Sequence, residues 1–338
     1  MRIALVTDAW APQVNGTVRT LSTVAGHLRA DHGDAVEMIG PDRFATVPAP
    51  GYKEIRLAVA PRRRLAALLD VAEPDAVHVA TEGPLGWSAR AECRRRGWSF
   101  TTAFHTRFPD YLRLRTGIPE AWTWAVLRRF HAAGSGTMAA TGSLARELAT
   151  RRFERVLPWT RGVDLERFRG PLEGDPWCGL PRPVWVCVGR VAVEKNLAAF
   201  LSLDLPGTKA VVGDGPARPS LQARFPEAVF AGRQDGDQLA ASYAAADVFV
   251  FPSRTDTFGL VLLEALACGT PVAAFPVPGP LDVLGGAPPG AGALDEDLRA
   301  ACLRALDAAD PGACRRHAGE WSWKACAAQF RAALVSVR

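Results

Sequence analysis

The sequence predicts an α/β protein built of two doubly wound domains that face each other across a cleft. Three observations predict it. Short β-branched or apolar runs alternate with helix-patterned stretches along the whole chain, which is how parallel sheets covered on both faces read in sequence. The 338 residues suit two domains of roughly 150 to 170 residues each. A polar, Pro- and Gly-rich interval, Gly162–Pro183, separates two such alternating runs. The expected division is residues 1–165, residues 166–317 and a closing segment, residues 318–338.

Taken in order, the first half places strands at Arg2–Thr7, Ala35–Ile39, Ala76–Val79 and Phe100–Phe104, with a further pair near Gly136–Ala140 and Arg155–Leu157. Helical patterns intervene at Thr17–Arg29, Arg63–Ala72, Pro84–Arg96, Glu120–Ala133 and Ser143–Thr150. The second half places strands at Val184–Gly189, Lys209–Val212, Ala228–Phe230, Val248–Phe251 and Pro271–Ala274. Its helices are expected at Asn196–Leu203, Arg218–Phe225, Gln238–Ala245 and Gly259–Cys268. Gly285–Ala293 reads as a loop. Ala318–Val337 reads as a helix with no strand after it, free to pack on either domain.

Composition closes several alternatives. No apolar run reaches the length of about 18 residues that a membrane-spanning helix needs. The start, MRIALVTDAW, carries an acid and no cleavage pattern, so it reads as a buried strand, not a signal peptide. Seven scattered cysteines without a CxxC pair argue against a disulfide framework or zinc site and fit a reducing cytoplasm. Charge is uneven. Residues 1–170 hold 25 Lys and Arg against 17 Asp and Glu, and the rest hold 15 against 18. The basic half is either a solvated arginine-rich face or a surface for anionic membrane or an anionic acceptor. No nucleic-acid module accompanies it, so no nucleic-acid partner is expected.

Ligands of doubly wound sheets bind beyond the carboxyl ends of the strands, and four segments there carry candidate chemistry. In SRTDTFGLVLLEALACGTPVAA, Ser253–Ala274, Phe258 and Gly259 open a helix whose first N–H groups and dipole favour an anion. Gly259 lets the backbone come close to a phosphate. Glu264, further in, suits vicinal hydroxyls such as those of a ribose, and Asp256 lies on the loop before. The alternative is that Asp256 caps the helix and Glu264 faces solvent. In VGRVAVEKNL, Arg190 and Lys195 are two cations able to neutralise a diphosphate, or ordinary surface charges. In DAWAPQVNGTVRT, Gly16 enters the first helix, with no GxGxxG for a dinucleotide. In TTAFHTRFPDY, His105 follows a buried strand with Thr106 and Arg107 beside it. The acidic triplets Asp235–Asp237 and Asp295–Asp297 read as helix starts, so no metal site is expected. Nor does a GxSxG elbow or a Cys–His arrangement offer a covalent nucleophile.

These segments, in this order, resemble the GT-B glycosyltransferases of family 4, retaining enzymes that use nucleotide sugars. GRVAVEKNL, GDGPARPSL (Gly213–Leu221), FAGRQDGDQLAASYAAADVFVFPS (Phe230–Ser253) and the Ser253–Ala274 segment carry the likeness. TEGPLG (Thr81–Gly86) and FHTRFPDY (Phe104–Tyr111) are similar to a branch of sulfoquinovosyl- and mannosyl-transferase-like proteins. The resemblance implies a GT-B fold of two Rossmann-like domains, with the donor in the second domain, the acceptor in the first, and the terminal helix crossing back to the first. It implies Arg190 and Lys195 on the diphosphate, Glu264 on the ribose, Asp256 on the sugar and His105 lining the sugar site. Gly16, Phe258, Gly259, Leu260 and Val261 complete the implied donor contacts. The family's acid-x7-acid motif usually begins with Glu, and here Asp256, one methylene shorter, takes that place.

The expected activity is metal-independent, retaining transfer of a hexose-type sugar from a GDP- or UDP-sugar, catalysed by Arg190, Lys195, Asp256 and His105. The acceptor is expected to be a glycolipid or a lipid such as a diacylglycerol, with a soluble or polymeric saccharide as the alternative. A sugar-nucleotide epimerase and a non-catalytic sugar-nucleotide-binding protein are the rival classes. Arg62–Arg64 and the helix bearing Trp122, Trp124, Leu127, Arg128, Arg129 and Phe130 offer basic and aromatic faces for peripheral contact with anionic membrane. For residues 120–133 a core-facing stripe with solvated arginines is the competing expectation.

Overall fold

In the computed structural model, strand β1 (Arg2–Val6) runs parallel to β2 (Ala35–Ile39) on one side and to a later strand, β5 (Ala76–Val79), on the other. Between β2 and β5 the chain makes a separate antiparallel hairpin, β3 (Thr46–Ala49) with β4 (Tyr52–Ala58). The structure describes residues 1–338 apart from 12, 14, 50–51, 110–112, 114–116, 118 and 171–173, and apart from the side chains of 52–54. β6 (Thr101–Phe104), β7 (Gly136–Ala139) and β8 (Val156–Pro158) complete the first sheet in the order β2-β1-β5-β6-β7-β8. Every residue of β5, β6 and β7 is buried. A strand covered on both faces has no solvent side, which is why these segments read as unbroken runs without alternation.

Five helices accompany this sheet among the described residues: α1 (Gly16–His32), α2 (Arg62–Ala72), α3 (Pro84–Arg96), α4 (Glu120–His131) and α5 (Gly142–Thr150). Asn15 starts α1 by accepting a hydrogen bond from the Val18 amide at 3.0 Å, and Gly33, at φ 64°, ends it.

The second sheet is again wholly parallel. Its strands β9 (Val184–Val188), β10 (Thr208–Val212), β11 (Val229–Gly232), β12 (Val248–Phe251), β13 (Val272–Ala274) and β14 (Gly292–Leu294) lie in the order β11-β10-β9-β12-β13-β14. The helices are α6 (Leu197–Leu201), α7 (Arg218–Arg224), α8 (Gly236–Ala244), α9 (Leu260–Cys268), α10 (Pro278–Leu284), α11 (Leu298–Asp307) and α12 (Pro311–Ala318), followed by α13 (Trp323–Ala333). Trp185, Phe200, Val211 and Val250 anchor one core of this half, and Val6, Leu69, Phe100 and Phe130 one of the first.

The chain divides into unit 1, Met1–Arg161 with Trp323–Arg338, and unit 2, Gly162–Ser322. The terminal segment joins unit 1 for identifiable reasons. Arg331 grips the buried Asp34 carboxylate with two bonds, of 2.8 and 3.2 Å. Gln329 accepts from the Thr160 amide at 2.9 Å, and the Val337 amide donates to the Asp75 carbonyl at 2.9 Å.

Several expectations require correction. The helix expected over Asn196–Leu203 is a 3-10 turn, Val193–Lys195, then α6, because Asn196 sits at φ 52° and breaks the run. Gly285–Ala293 is not all loop, since Gly292 begins edge strand β14, and α10 stands just before it. The Ala318–Val337 pattern is interrupted after α12 and resumes as α13. The hairpin β3–β4 was not foreseen.

Candidate active site

In unit 2 the strand order reverses between β9 and β12, and the gap beyond their carboxyl ends is the place where such sheets bind ligands. Arg190 stands two residues past β9, and Lys195 ends the 3-10 turn after it. Asp256 lies in the loop after β12. Three hydrogen bonds tie the two loops together: Asn196 Nδ2 to Pro252 O at 3.1 Å, and the Ser253 and Thr255 hydroxyls to Glu194 O, both at 3.4 Å. The brace sets Lys195 Nζ 2.5 Å from Asp256 Oδ1. The other oxygen, Asp256 Oδ2, is buried without a hydrogen-bond partner among the described residues. Asp256 is therefore an ion-pair partner of Lys195 and not the helix cap that the alternative reading allowed.

The cap of α9 is Gly259, at φ 84°. A side chain there would be strained, so glycine is required by the backbone itself, and no capping side chain comes with it. Phe258 is buried against Trp321, with ring centroids 5.4 Å apart. Leu260 and Val261 form the first turn and are half-buried. Glu264 does not face solvent. It is 3% exposed, and its Oε2 accepts a hydrogen bond from the hydroxyl of Tyr243, on α8, at 3.0 Å. An acid held this way inside an apolar helix needs a polar partner for its position to be tolerable. A cavity of about 320 Å³ lies at the opposite end of α9, against Gly269 and Arg315, away from these residues.

Unit 1 reverses its strand order between β1 and β5. There Asp8, just past β1, is buried and turned onto the start of α3. Its carboxylate accepts from the Leu85 amide at 2.8 Å, the Gly86 amide at 3.2 Å and the Thr81 hydroxyl at 2.9 Å. The TEGPLG segment is thus a cradle for this acid. A Cβ on Gly83 would stand 2.4 Å from the Asp8 carboxyl carbon, so the third residue of the segment must be glycine. Burial pushes the Asp8 carboxyl up from its ordinary range, against the pull of the three hydrogen bonds.

His105 follows β6 and packs edge-on against Trp159 at 5.4 Å. Its Nδ1 lies 3.4 Å from Arg161 Nη2. Burial first, and then the Arg161 charge, hold the imidazole pKa well below its usual value. Arg107 is bound to Glu147 by two contacts of 2.5 and 3.1 Å. Asp110 and Tyr111, at the end of the FHTRFPDY segment, lie outside the described residues. Gly16 is the exposed first residue of α1.

Of the two acidic triplets, the second is engaged within the fold. Asp297 caps α11 through the Arg299 amide at 2.9 Å, Asp295 pairs with Arg304 at 2.7 Å and Glu296 with Arg254 at 3.0 Å. Asp235 precedes α8, which starts at Gly236 and not at Gln238, and its side chain makes no cap bond. Among the described residues no group of three or more His, Cys, Asp or Glu could hold a metal ion. On α4 the stripe Trp124, Leu127 and Phe130 is core, as the plainer expectation had it. Trp122 and Val126 nevertheless stay 74% and 52% exposed.

Two doubly wound parallel sheets, each with one strand-order reversal, define the GT-B fold class. Sucrose-phosphate synthase of Thermosynechococcus elongatus superposes with a TM-score of 0.76 at 22% identity, over 98% of this chain and 97% of that one. Residues 14–167 match the model of glycosyltransferase family 4, and residues 182–307 that of glycosyl transferases group 1. The GDP-mannose-dependent alpha-mannosyltransferase of Mycolicibacterium smegmatis is 34% identical over 313 residues, covering 84% of this chain and 82% of the relative. Sulfoquinovosyl transferase SQD2 of Arabidopsis thaliana is 31% identical over 259 residues, 70% of this chain and 49% of the relative. The chain belongs to glycosyltransferase family 4.

Three residues of consequence escaped the sequence reading. Tyr243 lay inside the FAGRQDGDQLAASYAAADVFVFPS segment, where its hydroxyl could have been matched to Glu264. Asp8 and Arg161 gave no local signal, since their partners are 73 or more and 56 positions away.

Proposed function

We propose that the chain is a retaining hexosyltransferase that moves a sugar from a nucleoside diphosphate to a lipid or glycolipid acceptor such as a diacylglycerol. The braced Lys195–Asp256 pair at the strand-order reversal of unit 2, with Arg190 on the same loop as Lys195, carries this reading. The diphosphate binds Arg190, Lys195 and the first N–H groups of α9, whose glycine cap leaves the backbone accessible. Its arrival draws Lys195 onto phosphate, and the Asp256 carboxylate then accepts from a hydroxyl of the sugar. Glu264, positioned by Tyr243, accepts from the ribose hydroxyls. The acceptor oxygen bonds to the anomeric carbon as the bond from that carbon to the phosphate oxygen breaks on the same face. The departing phosphate takes the acceptor's proton, and fixed charge on the leaving group is the main catalytic effect. Two cations and a helix start suffice for the diphosphate, so turnover is expected to persist in EDTA.

The likeness to the GDP-mannose-dependent relative supports a guanine donor first and a uracil donor second. Thermal-shift titration with GDP-, UDP- and ADP-mannose or -glucose, followed by product analysis, tests the donor. The reading predicts one preferred nucleotide and product retaining the α configuration. Hydrolysis alone, or an epimerised donor, would contradict it.

For the acceptor, exposed Trp122 and Val126 share α4 with exposed Arg129, and exposed Arg62–Arg64 begin α2. Aromatic and aliphatic side chains beside arginines suit the surface of an anionic bilayer. Sedimentation with phosphatidylglycerol vesicles should capture the protein, and Trp122→Ala should weaken capture. No helix of the described residues is long and apolar enough to cross a membrane.

A further inference from the structure

The loop between β12 and α9 carries Asp256 and Gly259, and one side chain roots it. Among the described residues from Arg254 to Leu260, Phe258 alone has a buried side chain, 4% exposed. Its ring meets the Trp321 indole edge to face, with centroids 5.4 Å apart and planes at 70°, an arrangement that aromatic pairs favour. The backbone of the turn is seated as closely. A Cβ on Gly279, at the start of α10, would stand 2.7 Å from Phe258 O and 3.3 Å from Asp256 O. At the near end, the Arg254 guanidinium lies 3.7 Å from the centroid of the Phe275 ring. The turn thus rests on residues that follow it in the chain, and Trp321 is the last and largest of them.

Trp321 is itself pinned through its backbone. Its amide donates to Ala318 O, at the end of α12, at 3.0 Å, and its carbonyl accepts from the Val163 amide at 3.1 Å. Val163 and Ser322 form a bridge beside that bond. All of these residues belong to unit 2. The indole Nε1 is buried and has no hydrogen-bond partner among the described residues. A buried N–H without an acceptor is unfavourable, so Trp321 contributes through its ring and not through its donor.

We propose that Trp321 is a positioning residue for the donor. Through Phe258 it fixes the Asp256–Gly259 turn, and with it the Asp256 carboxylate and the first N–H groups of α9. Gly259 stands at φ 84° and supplies no capping side chain, so this turn has little of its own to hold it. A turn released from its anchor has conformational freedom to lose when a ligand binds, and that loss is subtracted from affinity. The anchoring stands on the geometry of unit 2, whereas its consequence for the donor rests on the proposed function.

The test compares Trp321→Ala, Trp321→Leu and Trp321→Phe with the wild type. Amide hydrogen exchange is read on peptides, and steady-state transfer uses GDP-mannose, or UDP-glucose where the wild type prefers it, with diacylglycerol in phosphatidylglycerol vesicles. Leucine keeps apolar volume without a ring, so it carries the test should the alanine variant not fold. In both, exchange over residues 254–260 should quicken by at least about 10-fold while β9 stays as in wild type. Donor KM should rise by about 10-fold, with KM for the diacylglycerol within about twofold of wild type. Trp321→Phe, which retains a ring edge for Phe258, should restore most of both. Exchange that quickens equally in β9 would mean a general loss of stability and overturn the proposal. Unchanged exchange over the turn, or an unchanged donor KM, would overturn it as well. If the wild type transfers no sugar at all, the proposed function fails while exchange still decides the anchoring.

Discussion

Each unit reverses its strand order once, and the two treat the opening at that point in opposite ways. In unit 1 a helix start, that of α3, receives an anion from the chain itself: Asp8, held by the Leu85 and Gly86 amides and the Thr81 hydroxyl. In unit 2 the helix start of α9 is capped by a glycine at positive φ, which brings no anion. On the loop before it Asp256 pairs with Lys195 at 2.5 Å, and Arg190 lies in the loop after β9. Helix starts attract negative charge wherever they occur. On the proposed function, the same architectural position is completed internally in unit 1 and left for a ligand in unit 2.

The largest expected effect breaks the unit 2 side. Arg190→Ala or Lys195→Ala should each lower turnover by about 10²- to 10³-fold, the usual consequence of removing one fixed charge from a leaving group. Steady-state transfer of the preferred sugar measures it. Unaltered turnover in either variant would remove that residue from the mechanism.

Next, on the unit 1 side, Asp8→Ala leaves two helix-start amides and a buried hydroxyl without their acceptor. It should cost about 2–3 kcal/mol of stability in urea unfolding while leaving nucleotide affinity alone. A variant as stable as wild type would show that the internal anion is dispensable.

The far end of α3 gives a pH-dependent counterpart. Hydrogen bonds from Arg95, then Arg96, hold the Glu92 carboxyl down to about 2, against an ordinary 4.5. A depressed carboxylate stabilises the fold fully above its unfolded value, and that contribution is lost as pH falls from about 4.5 through about 2. On the order of 2 kcal/mol is at stake, and Glu92→Gln should flatten this part of the stability profile. An unchanged acid limb would contradict the assignment.

A smaller effect sharpens the ribose end. Glu264→Ala should weaken nucleotide binding by about 10-fold, and Tyr243→Phe by about 2- to 5-fold, since the hydroxyl positions the acid without touching the ligand. If Tyr243→Phe costs more than Glu264→Ala, the tyrosine itself meets the nucleotide.

The sequence was most readable where one element decides the outcome. Fully buried central strands such as AVHV and VFVF, flanked by turn signals, read as parallel interior strands, and the β9 and β12 ends drew attention to Arg190, Lys195 and Asp256. The hairpin β3–β4 was missed because its partly exposed strands contain Pro48 and lack a continuous apolar run. What stayed hidden depends on distant partners. TEGPLG gave no hint that its function is to receive Asp8, which stands 77 positions from Leu85. Nothing local in FHTR shows that His105 meets Arg161, 56 positions further on. The pairing of Lys195 with Asp256 likewise joins residues 61 apart.

The most direct test is calorimetric titration of the preferred nucleoside diphosphate into folded wild-type protein, Arg190→Ala and Asp8→Asn. If unit 2 holds the open anion site, Arg190→Ala binds at least about 10-fold more weakly. Asp8→Asn then stays within about twofold of wild type. Undiminished binding by Arg190→Ala, with a loss in Asp8→Asn, would place the diphosphate at the wrong reversal and contradict the account.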